Sequence, residues 1–252
     1  LETLKLLISM CARRQSDAKP CRMAIVDIKR AYFYAKARRP VFIEIPAEDR
    51  EEGEEGMIGQ LQLSLYGTRD AAQNWAAEYT SLLVELGFRI GKASPCNFMH
   101  DKRDIALTVH GDDFTIIADE EQLQWLGEKM RKRYDLKMDV LGPEAHQQQE
   151  VRILNRIIRW TKHGLEYEPD QRHAEKVVSD LGLEKSREVS TPCVPELSSA
   201  NAKKDEKGKK ILEPPESTRF RGIAARVNYL AADRPDLQFA SKGACKYMAN
   251  PT

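Results

Sequence analysis

The sequence predicts an α+β protein, built from an antiparallel sheet with helices on one face. Residues 21–27 are apolar and partly β-branched, as in a buried strand. Residues 105–109 and 114–118 are two apolar strands that flank His-Gly-Asp-Asp, which is typical of a hairpin. Residues 70–86 and 120–134 instead carry apolar side chains at helical spacing. Strands and helices therefore alternate along this half of the chain.

The other elements are shorter or less regular. The same patterns predict a helix at 1–12, a short strand at 41–45 and an edge strand at 60–65. Beyond Gly142 they weaken. They indicate a second hairpin at 151–159 with 164–167 and a helix at 171–181. A linker rich in Ser, Pro, Lys and Glu follows at 190–215, and two closing helices are predicted at 218–232 and 235–248.

Composition indicates a folded protein of one large or two small domains. Of the 252 residues, 41% are hydrophobic and 31% are charged, which excludes an intrinsically disordered chain. Lys and Arg number 40 against 39 Asp and Glu, so the net charge gives no argument for nucleic-acid binding. Basic residues cluster locally at 29–39, 129–137 and 203–210, and such runs are usually solvated faces.

Several classes of protein are excluded by what the sequence lacks. The five cysteines include no CxxC pair, which argues against a zinc site or a disulfide framework and fits a reducing compartment. No apolar run is long enough for a transmembrane helix, and the N-terminus lacks the pattern of a signal peptide, so no membrane partner is expected. Because the chain opens with Leu1 and not Met, we expect it to be a fragment.

Three aspartates are the strongest candidates for chemistry. Asp27 ends the strand predicted at 21–27, and Asp112 and Asp113 occupy the tip of the predicted hairpin. If the two strands were neighbours in one sheet, the acids would lie together, and their mutual repulsion would favour a bound divalent cation. The alternative is that an Asp-Asp pair in a turn is only a solvated loop. Neither interpretation follows from these three residues alone.

Five segments contain motifs in a fixed order along the chain. They are VDIKRAYF at 26–33, LSLYGTRDAAQNW at 63–75, VHGDD at 109–113, VSTP at 189–192 and YLAADRPDLQFA at 229–240. Together they resemble the motifs of copia-like retrotransposon reverse transcriptases. Those motifs are an Asp followed five residues on by an aromatic side chain, then S-L-Y-G-L-x-Q-A-P-R-x-W, Y-V-D-D, V-S-T-P and Y-L-x-x-T-R-P-D-I-x-F-A. The matches cover nearly the whole chain.

The resemblance implies a polymerase palm, with partial fingers and a mostly helical thumb. Its boundaries would be 1–142 for the palm with partial fingers, 143–189 for a primer-grip hairpin and the first thumb helix, 190–217 for a linker, and 218–252 for C-terminal thumb or connection helices. The implied activity is that of an RNA-directed DNA polymerase, which extends a DNA or RNA primer on an RNA template with deoxynucleoside triphosphates (dNTPs). The resemblance also implies RNase H and integrase domains elsewhere in the same polyprotein. The expected location is a cytoplasmic virus-like particle.

The resemblance also implies roles for individual residues. The ligands of Mg²⁺ or Mn²⁺ would be Asp27, Asp112 and Asp113. The dNTP would contact the backbone carbonyl of Ile28, the steric gate Tyr32, and the turn formed by Tyr66 and Gly67. The primer would contact His110, Gly111, Leu154, Asn155 and Arg156.

Some residues depart from the family pattern. His110 and Gly111 stand where the family has Tyr and Val, and we expect the glycine to loosen the hairpin through its backbone entropy. For His110 a packing role is favoured over metal binding. Ala72 replaces Pro and Asn155 replaces Gly. We expect the remaining fingers, with the basic residues that clamp the triphosphate, to be missing.

Alternatives remain open at this point. Tyr32 could be an ordinary core aromatic residue, and Trp75 is expected to anchor its helix in the core instead of stacking on a base. The chain could also be a truncated or decayed relic that keeps the fold and weak nucleic-acid binding without activity. A different palm enzyme, such as a nucleotide cyclase, would share the carboxylates but not the S-L-Y-G or R-P-D segments.

Overall fold

The chain divides into two compact units, Leu1–Val151 with Arg159–Glu166 and Arg152–Ile158 with Tyr167–Thr252. The structure, a computed structural model, describes residues 2–16, 18–189, 191 and 211–252. None of the helices in these ranges combines the length and the apolar character needed to cross a membrane.

The first unit contains most of the predicted elements. Its helices are α1 (Glu2–Arg13), α2 (Ala71–Glu85) and α3 (Glu120–Arg131), with short 3-10 helices at Arg14–Ser16, Ala31–Tyr34 and Ala47–Asp49. Its strands are β1 (Arg22–Ile28), β2 (Phe42–Glu44), β3 (Ile58–Gln60), β4 (Arg89–Ile90), β5 (Asn97–His100), β6 (Ile105–His110), β7 (Asp113–Ala118) and β8 (Leu136–Leu141). The edge strand predicted at 60–65 lies earlier, at β3.

Six of these strands form one antiparallel sheet in the order β4-β5-β6-β7-β1-β8. β2 and β3 pair separately as a short ribbon. The predicted α+β class is therefore confirmed. The sequence patterns do not predict β4, β5 or β8, because two of them are very short and the third carries charged side chains.

One face of the sheet forms the main core. Ala24, Val26 and Ile28 alternate along β1 and are almost fully buried, as the two-residue period of a strand requires. They pack in one cluster with side chains of α2 and α3, among them Trp75 and Leu126. Burial of this apolar surface is the main stabilising contribution, at roughly 25 cal/mol per Å².

Helix α1 covers the opposite face, so the prediction of helices on one face only is wrong. Met23 and Ile117 are cross-strand partners on that face, and both are fully buried although they lie outside the main cluster. α1 packs against β1, β6 and β7 and buries its own Leu7 and Cys11 there. Apart from Arg22, β1 and β7 are apolar on both faces at this end, because both faces are covered.

Burial on the α1 face decreases along β1. Met23 is buried, Ile25 is half-buried and Asp27 is exposed. Because alternate residues of a strand share a face, these three side chains mark a path from the covered end of the sheet to an open end. The open end is where the acidic residue stands.

A second, three-stranded sheet has the order β11-β10-β9, with β9 at Glu150–Ile153, β10 at Arg156–Thr161 and β11 at Gly164–Glu168. The single strand predicted at 151–159 is wrong, because the chain turns at Leu154 and Asn155. Both residues have positive φ, 49° and 63°. Two left-handed residues between two strands are typical of a type I′ hairpin.

The second unit contains helices α4 (Gln171–Leu181), α5 (Glu216–Ala231) and α6 (Gln238–Cys245), which confirm the three helices predicted there. α6 is shorter than predicted, since Pro235–Leu237 form a 3-10 turn ahead of it. Several predicted features fall mostly or wholly outside the described residues. They are the linker, the basic run at 203–210, Cys193, and Ser190 and Pro192 of the VSTP segment. The four described cysteines are free.

A buried ion pair lies inside the second unit. Arg156 donates from Nε and Nη2 to Oδ2 of Asp233, at 2.9 and 2.8 Å. The hydroxyl of Tyr167 donates to the other carboxylate oxygen at 2.7 Å. The side chains of Arg156 and Asp233 are only 6% and 1% exposed. The charges are therefore tolerated in the core because each is paired and hydrogen-bonded.

We predict that Asp233→Asn lowers the free energy of unfolding by roughly 3 kcal/mol, because it leaves a buried guanidinium without its counter-charge. Asp236→Asn is the matched control. Asp236 lies in the same motif and pairs with Arg234, but both side chains are about half exposed, so we expect a loss below about 1 kcal/mol. Urea unfolding followed by circular dichroism measures both. Equal losses in the two variants would contradict the assignment of a buried, energetically dominant pair.

Candidate active site

The tip of the β6–β7 hairpin is a two-residue turn. His110 pairs with Asp113, which leaves Gly111 and Asp112 as the loop. Gly111 has a φ of 67°, and no atom lies within 4 Å of the position that a Cβ would occupy. This left-handed conformation favours glycine, so Gly111 is suited to the folded turn. The backbone entropy that was expected to loosen the hairpin instead belongs to the unfolded chain.

β1 and β7 bring the predicted acids together. Asp27 is the direct cross-strand partner of Asp113, and Asp112 precedes it in the turn. Directly opposed residues of an antiparallel pair share one face, with Cα atoms about 4.5–5.5 Å apart. The predicted adjacency of the two strands is therefore confirmed. The catalytic roles of the three residues stay predictions.

The charges in this group repel one another. Burial, and then the charges of Asp112 and Asp27, raise the pKa of the Asp113 carboxyl above its ordinary value of 3.8, while His110 acts in the opposite direction. The two neighbouring carboxylates thus raise the free energy of ionising Asp113. A divalent cation would relieve this repulsion.

The donor set fits a hard cation that is held by few protein ligands. Within the described ranges, no three His, Cys, Asp or Glu side chains are gathered as a preformed metal cage. Mg²⁺ usually needs no such cage, because it keeps waters and binds one or two carboxylates together with substrate phosphates. Asp27 and Asp112, with Asp113 beside them, could hold it in this way.

A row of polar and charged side chains crosses the open face of the sheet. Cross-strand pairing aligns His110, Asp113, Asp27 and Lys137. Lys137 contacts Asp139 at 2.7 Å, and this ion pair, with a smaller effect of Asp27, raises the pKa of the Lys137 ammonium. Sequence reasoning placed Lys137 in a basic run of ordinary surface type. The alternation of polar and apolar residues in β8 was the signal that could have placed it on this face.

The two tyrosines predicted to contact the nucleotide lie together. The rings of Tyr32 and Tyr66 stack with centroids 4.3 Å apart and an angle of 27° between their planes, and Phe33 meets Tyr66 edge-on at 5.8 Å. Tyr66 is 45% exposed. Burial, followed by the charge of Asp112, raises the pKa of the Tyr66 hydroxyl. The Tyr66 hydroxyl therefore lies close enough to Asp112 to be influenced by its charge.

Backbone pairing holds this stack in place. Lys36 and Leu63 form an isolated antiparallel bridge, and the amide of Ser64 donates to the carbonyl of Ala35 at 2.8 Å. The turn that follows contains Gly67, whose φ is 89° and whose surroundings are open. An open glycine leaves the backbone accessible to a ligand. Ile28 as a whole is buried, with 1% of its surface exposed, so the contact through its backbone carbonyl stays a prediction.

Trp75 is buried as predicted, with 1% of its surface exposed, but it also has a polar contact that the sequence does not indicate. Its indole Nε1 donates a hydrogen bond to the carbonyl oxygen of Gly111 at 3.0 Å. A core residue of α2 therefore contacts the backbone of the hairpin tip.

The predicted primer contacts divide into two groups. His110 and Gly111 lie at the carboxylate group, and both are exposed. Leu154 and Asn155 form the hairpin turn of the other sheet. Arg156 corrects the prediction, because its guanidinium is buried and its nitrogens donate to Asp233 and, at 2.6 Å, to the carbonyl of Leu154. It is not free to contact a primer directly.

We predict that Asp112→Asn stabilises the metal-free protein at neutral pH. A carboxyl whose pKa is raised by folding, as in Asp113, contributes stability below its ordinary pKa of 3.8 and loses that contribution as the pH rises through the folded pKa. Removing a neighbouring charge reduces this loss.

Thermal melts in EDTA between pH 4 and 8 measure the effect. The midpoint of Asp112→Asn should exceed that of the wild type by on the order of 2 °C at pH 7, with the gap closing towards pH 4. Asp101→Asn, which removes an exposed partner of Arg89, is the control and should not raise the midpoint. A lower midpoint for Asp112→Asn at pH 7 would refute the repulsion.

Comparison with known proteins identifies the family. The model of the reverse transcriptase (RNA-dependent DNA polymerase) family matches residues 1–195. The retrovirus-related Pol polyprotein from transposon TNT 1-94 of Nicotiana tabacum is 22% identical over 234 residues, which are 90% of this chain and 17% of that protein. The corresponding polyprotein from transposon RE2 of Arabidopsis thaliana is 23% identical over 231 residues, 90% of this chain and 15% of that protein.

Solved structures are more distant. Apo telomerase from Candida Tropicalis is 12% identical with a TM-score of 0.39, over 63% of this chain and 34% of that one. The apo telomerase truncated from its C-terminal domain is also 12% identical, with a TM-score of 0.41, over 66% of this chain and 40% of that one. These scores are too low to assign a fold.

The chain spans about a sixth of the length of the curated relatives it matches. The family match covers more than half of the chain, and both relatives are transposon polyproteins, so the predicted resemblance to copia-like sequences is confirmed. The chain belongs to the reverse transcriptase (RNA-dependent DNA polymerase) family.

Proposed function

We propose that this chain is the RNA-directed DNA polymerase region of a copia-like Pol polyprotein. It would transfer a nucleotide from a dNTP to the 3′-hydroxyl of a primer paired to an RNA template. One observation carries the proposal: Asp27 stands directly opposite Asp113, with Asp112 in the adjoining turn, at the open end of the sheet.

The three carboxylates would hold the catalytic cations. Asp27 and Asp112 are the proposed direct ligands of Mg²⁺ or Mn²⁺, and Asp113 adds negative charge beside them. When bound, a pair of divalent ions stabilises the charge on the attacking and leaving oxygens of an in-line displacement. The raised pKa of Asp113 supports this role, since the site is electrostatically unbalanced without a counter-charge.

The side chains around the carboxylates would orient the substrates. Lys137, beside Asp27 and kept protonated by Asp139, offers a positive charge to a phosphate of the substrate. Tyr32 would face the sugar and exclude a 2′-hydroxyl, with Tyr66 behind its ring and Gly67 in the turn beyond. His110 and Gly111 would support the primer terminus.

The wider assignments follow from the family. The six-stranded sheet is the proposed palm, residues near the β2–β3 ribbon belong to the fingers, and the helices of the second unit belong to the thumb, with boundaries as predicted at 142, 189 and 217. The Leu154–Asn155 turn is the proposed primer grip. The partners would be an RNA template, a primer and dNTPs, with RNase H and integrase domains elsewhere in a polyprotein that acts in cytoplasmic particles.

Primer extension tests the polymerase assignment. On a poly(rA)/oligo(dT) substrate with Mg²⁺ or Mn²⁺, we expect dTTP-dependent extension, which Asp112→Asn reduces by at least about a hundredfold because charge stabilisation by metal is worth several kcal/mol. Asp101→Asn, which changes an exposed acid away from the site, serves as the control. Extension that survives Asp112→Asn would refute the metal assignment, and a wild type that never extends would favour a relic.

The Tyr32–Tyr66 stack predicts an effect on sugar selection. We expect Tyr66→Ala to reduce the preference for dTTP over UTP by up to about tenfold, because an aromatic pair is worth about 0.5–1.5 kcal/mol and its loss frees the gate ring. Tyr66→Phe keeps the stack and should keep the preference. Single-nucleotide incorporation gives kcat/KM for each substrate.

Tyr247→Ala, in the second unit, is the control for loss of a partly exposed ring. If Tyr66→Ala selected dTTP as strongly as the wild type, the stack would have no part in selection.

A further inference from the structure

We propose that Trp75 is a positioning residue for Asp112, and that its indole N–H holds the hairpin tip in the one turn conformation that aims this carboxylate at the metal. The inference rests on the proposed function, because it concerns the same carboxylate site. It assigns to Trp75 a role beyond the core packing that its burial indicates.

Trp75 contacts the hairpin on both sides of the acidic pair. Its indole donates to the carbonyl of Gly111, the residue before Asp112. Its ring meets Phe114, the residue after Asp113, edge-on at 6.4 Å. Two contacts that flank two residues constrain both position and orientation.

The indole itself is fixed by its neighbours. The rings of Tyr79 and Tyr134 meet it edge-on at 5.5 and 5.3 Å, and Trp75 is 1% exposed. A side chain held in this way loses little entropy on making a further hydrogen bond. Through this hydrogen bond, the packing around α2 restrains a loop that is otherwise exposed.

The accepted hydrogen bond lies at the peptide that decides the turn type. Gly111 has positive φ and Asp112 does not, which is the pattern of a type II′ turn. Rotation of the peptide between them would give a type I′ turn, with positive φ at Asp112 as well. Glycine makes this rotation easy, and nothing crowds Gly111. The bond to Trp75 engages the carbonyl of this same peptide.

The rotation would carry the Gly111 carbonyl away from the indole and break this hydrogen bond. It would also place Asp112, which has a Cβ, in the left-handed region that is unfavourable for such a residue. Trp75 thus favours the one turn in which the hairpin tip, with Asp112, is tethered to the core beside Asp27 and Asp113. A hydrogen bond worth about 1 kcal/mol corresponds to a factor of about five in that population.

Trp75→Phe tests the role, because it keeps an aromatic ring in the core and removes the N–H. Mn²⁺ binding, measured from the electron paramagnetic resonance signal of free Mn²⁺, should weaken by up to about fivefold. The wild-type far-UV circular dichroism spectrum should be retained. Tyr134→Phe is the matched control: it alters the same aromatic cluster and removes a hydroxyl contact to Glu78 but does not touch the hairpin, so Mn²⁺ affinity should be unchanged.

The outcomes separate the two proposals. If Asp112→Asn binds Mn²⁺ as the wild type does, the proposed metal site is wrong. If Asp112→Asn loses Mn²⁺ binding while Trp75→Phe and Tyr134→Phe both retain full affinity, only the positioning role of Trp75 is overturned. Equal losses in Trp75→Phe and Tyr134→Phe would also overturn it, since they would indicate a general effect of core packing.

A second measurement covers the case in which Trp75→Phe fails to fold. In ¹H–¹⁵N spectra of the wild type, the indole signal of Trp75 should shift on addition of Mg²⁺, because the accepting peptide becomes more ordered, while the indoles of Trp125 and Trp160 should not. A Trp75 signal that does not respond to saturating Mg²⁺ would refute the proposal.

Discussion

β1 and β7 pair antiparallel in the middle of the six-stranded sheet, with Asp27 opposite Asp113 and Val26 opposite Phe114. A slip of one residue would reverse the faces, so that Asp27 entered the main core and Val26 pointed to the open end. The apolar cluster beneath the sheet therefore specifies the register as strongly as any polar contact could. The arrangement of the acids is a consequence of hydrophobic packing on the other face.

The cost of this arrangement is concentrated where the sheet is open. Helix α1 covers the α1 face at Met23 and Ile117, but the cover ends before Asp27, so water and ligands reach the carboxylates. Repulsion among the acids disfavours the folded state at neutral pH, and the remaining core has to outweigh it. The hairpin tip is joined to the same core by the hydrogen bond from Trp75 to Gly111.

Most regular elements could be predicted from the sequence, because long apolar strands and amphipathic helices have clear periods. The exceptions have physical reasons. β4 and β5 are too short for a period, and β8 alternates charged with apolar residues because one of its faces lies beside the open site. The cover by α1 was missed because an amphipathic helix does not indicate which face of a sheet it will pack on.

The three acidic residues could be singled out from the sequence because a motif is defined by residue type and spacing. The contacts that support them could not be predicted in this way. The hydrogen bond from Trp75 to Gly111 joins residues from separate motifs, and nothing in either motif names its partner. Arg156 was predicted to contact the primer because its segment resembles the primer-grip hairpin of the family. Its partner Asp233 stands 77 positions away, and only the fold brings the two together.

The pairing of Arg156 with Asp233 has a consequence for inheritance. The family pattern Y-L-x-x-T-R-P-D has threonine where this chain has Asp233, and a threonine offers no charge to a buried guanidinium. A lineage that changed either residue alone would pass through a form with an orphaned charge in its core, so the two positions are constrained to change together. The chemistry of Arg156 in this chain is therefore decided by a residue of a different motif, which a comparison of its own segment alone would not show.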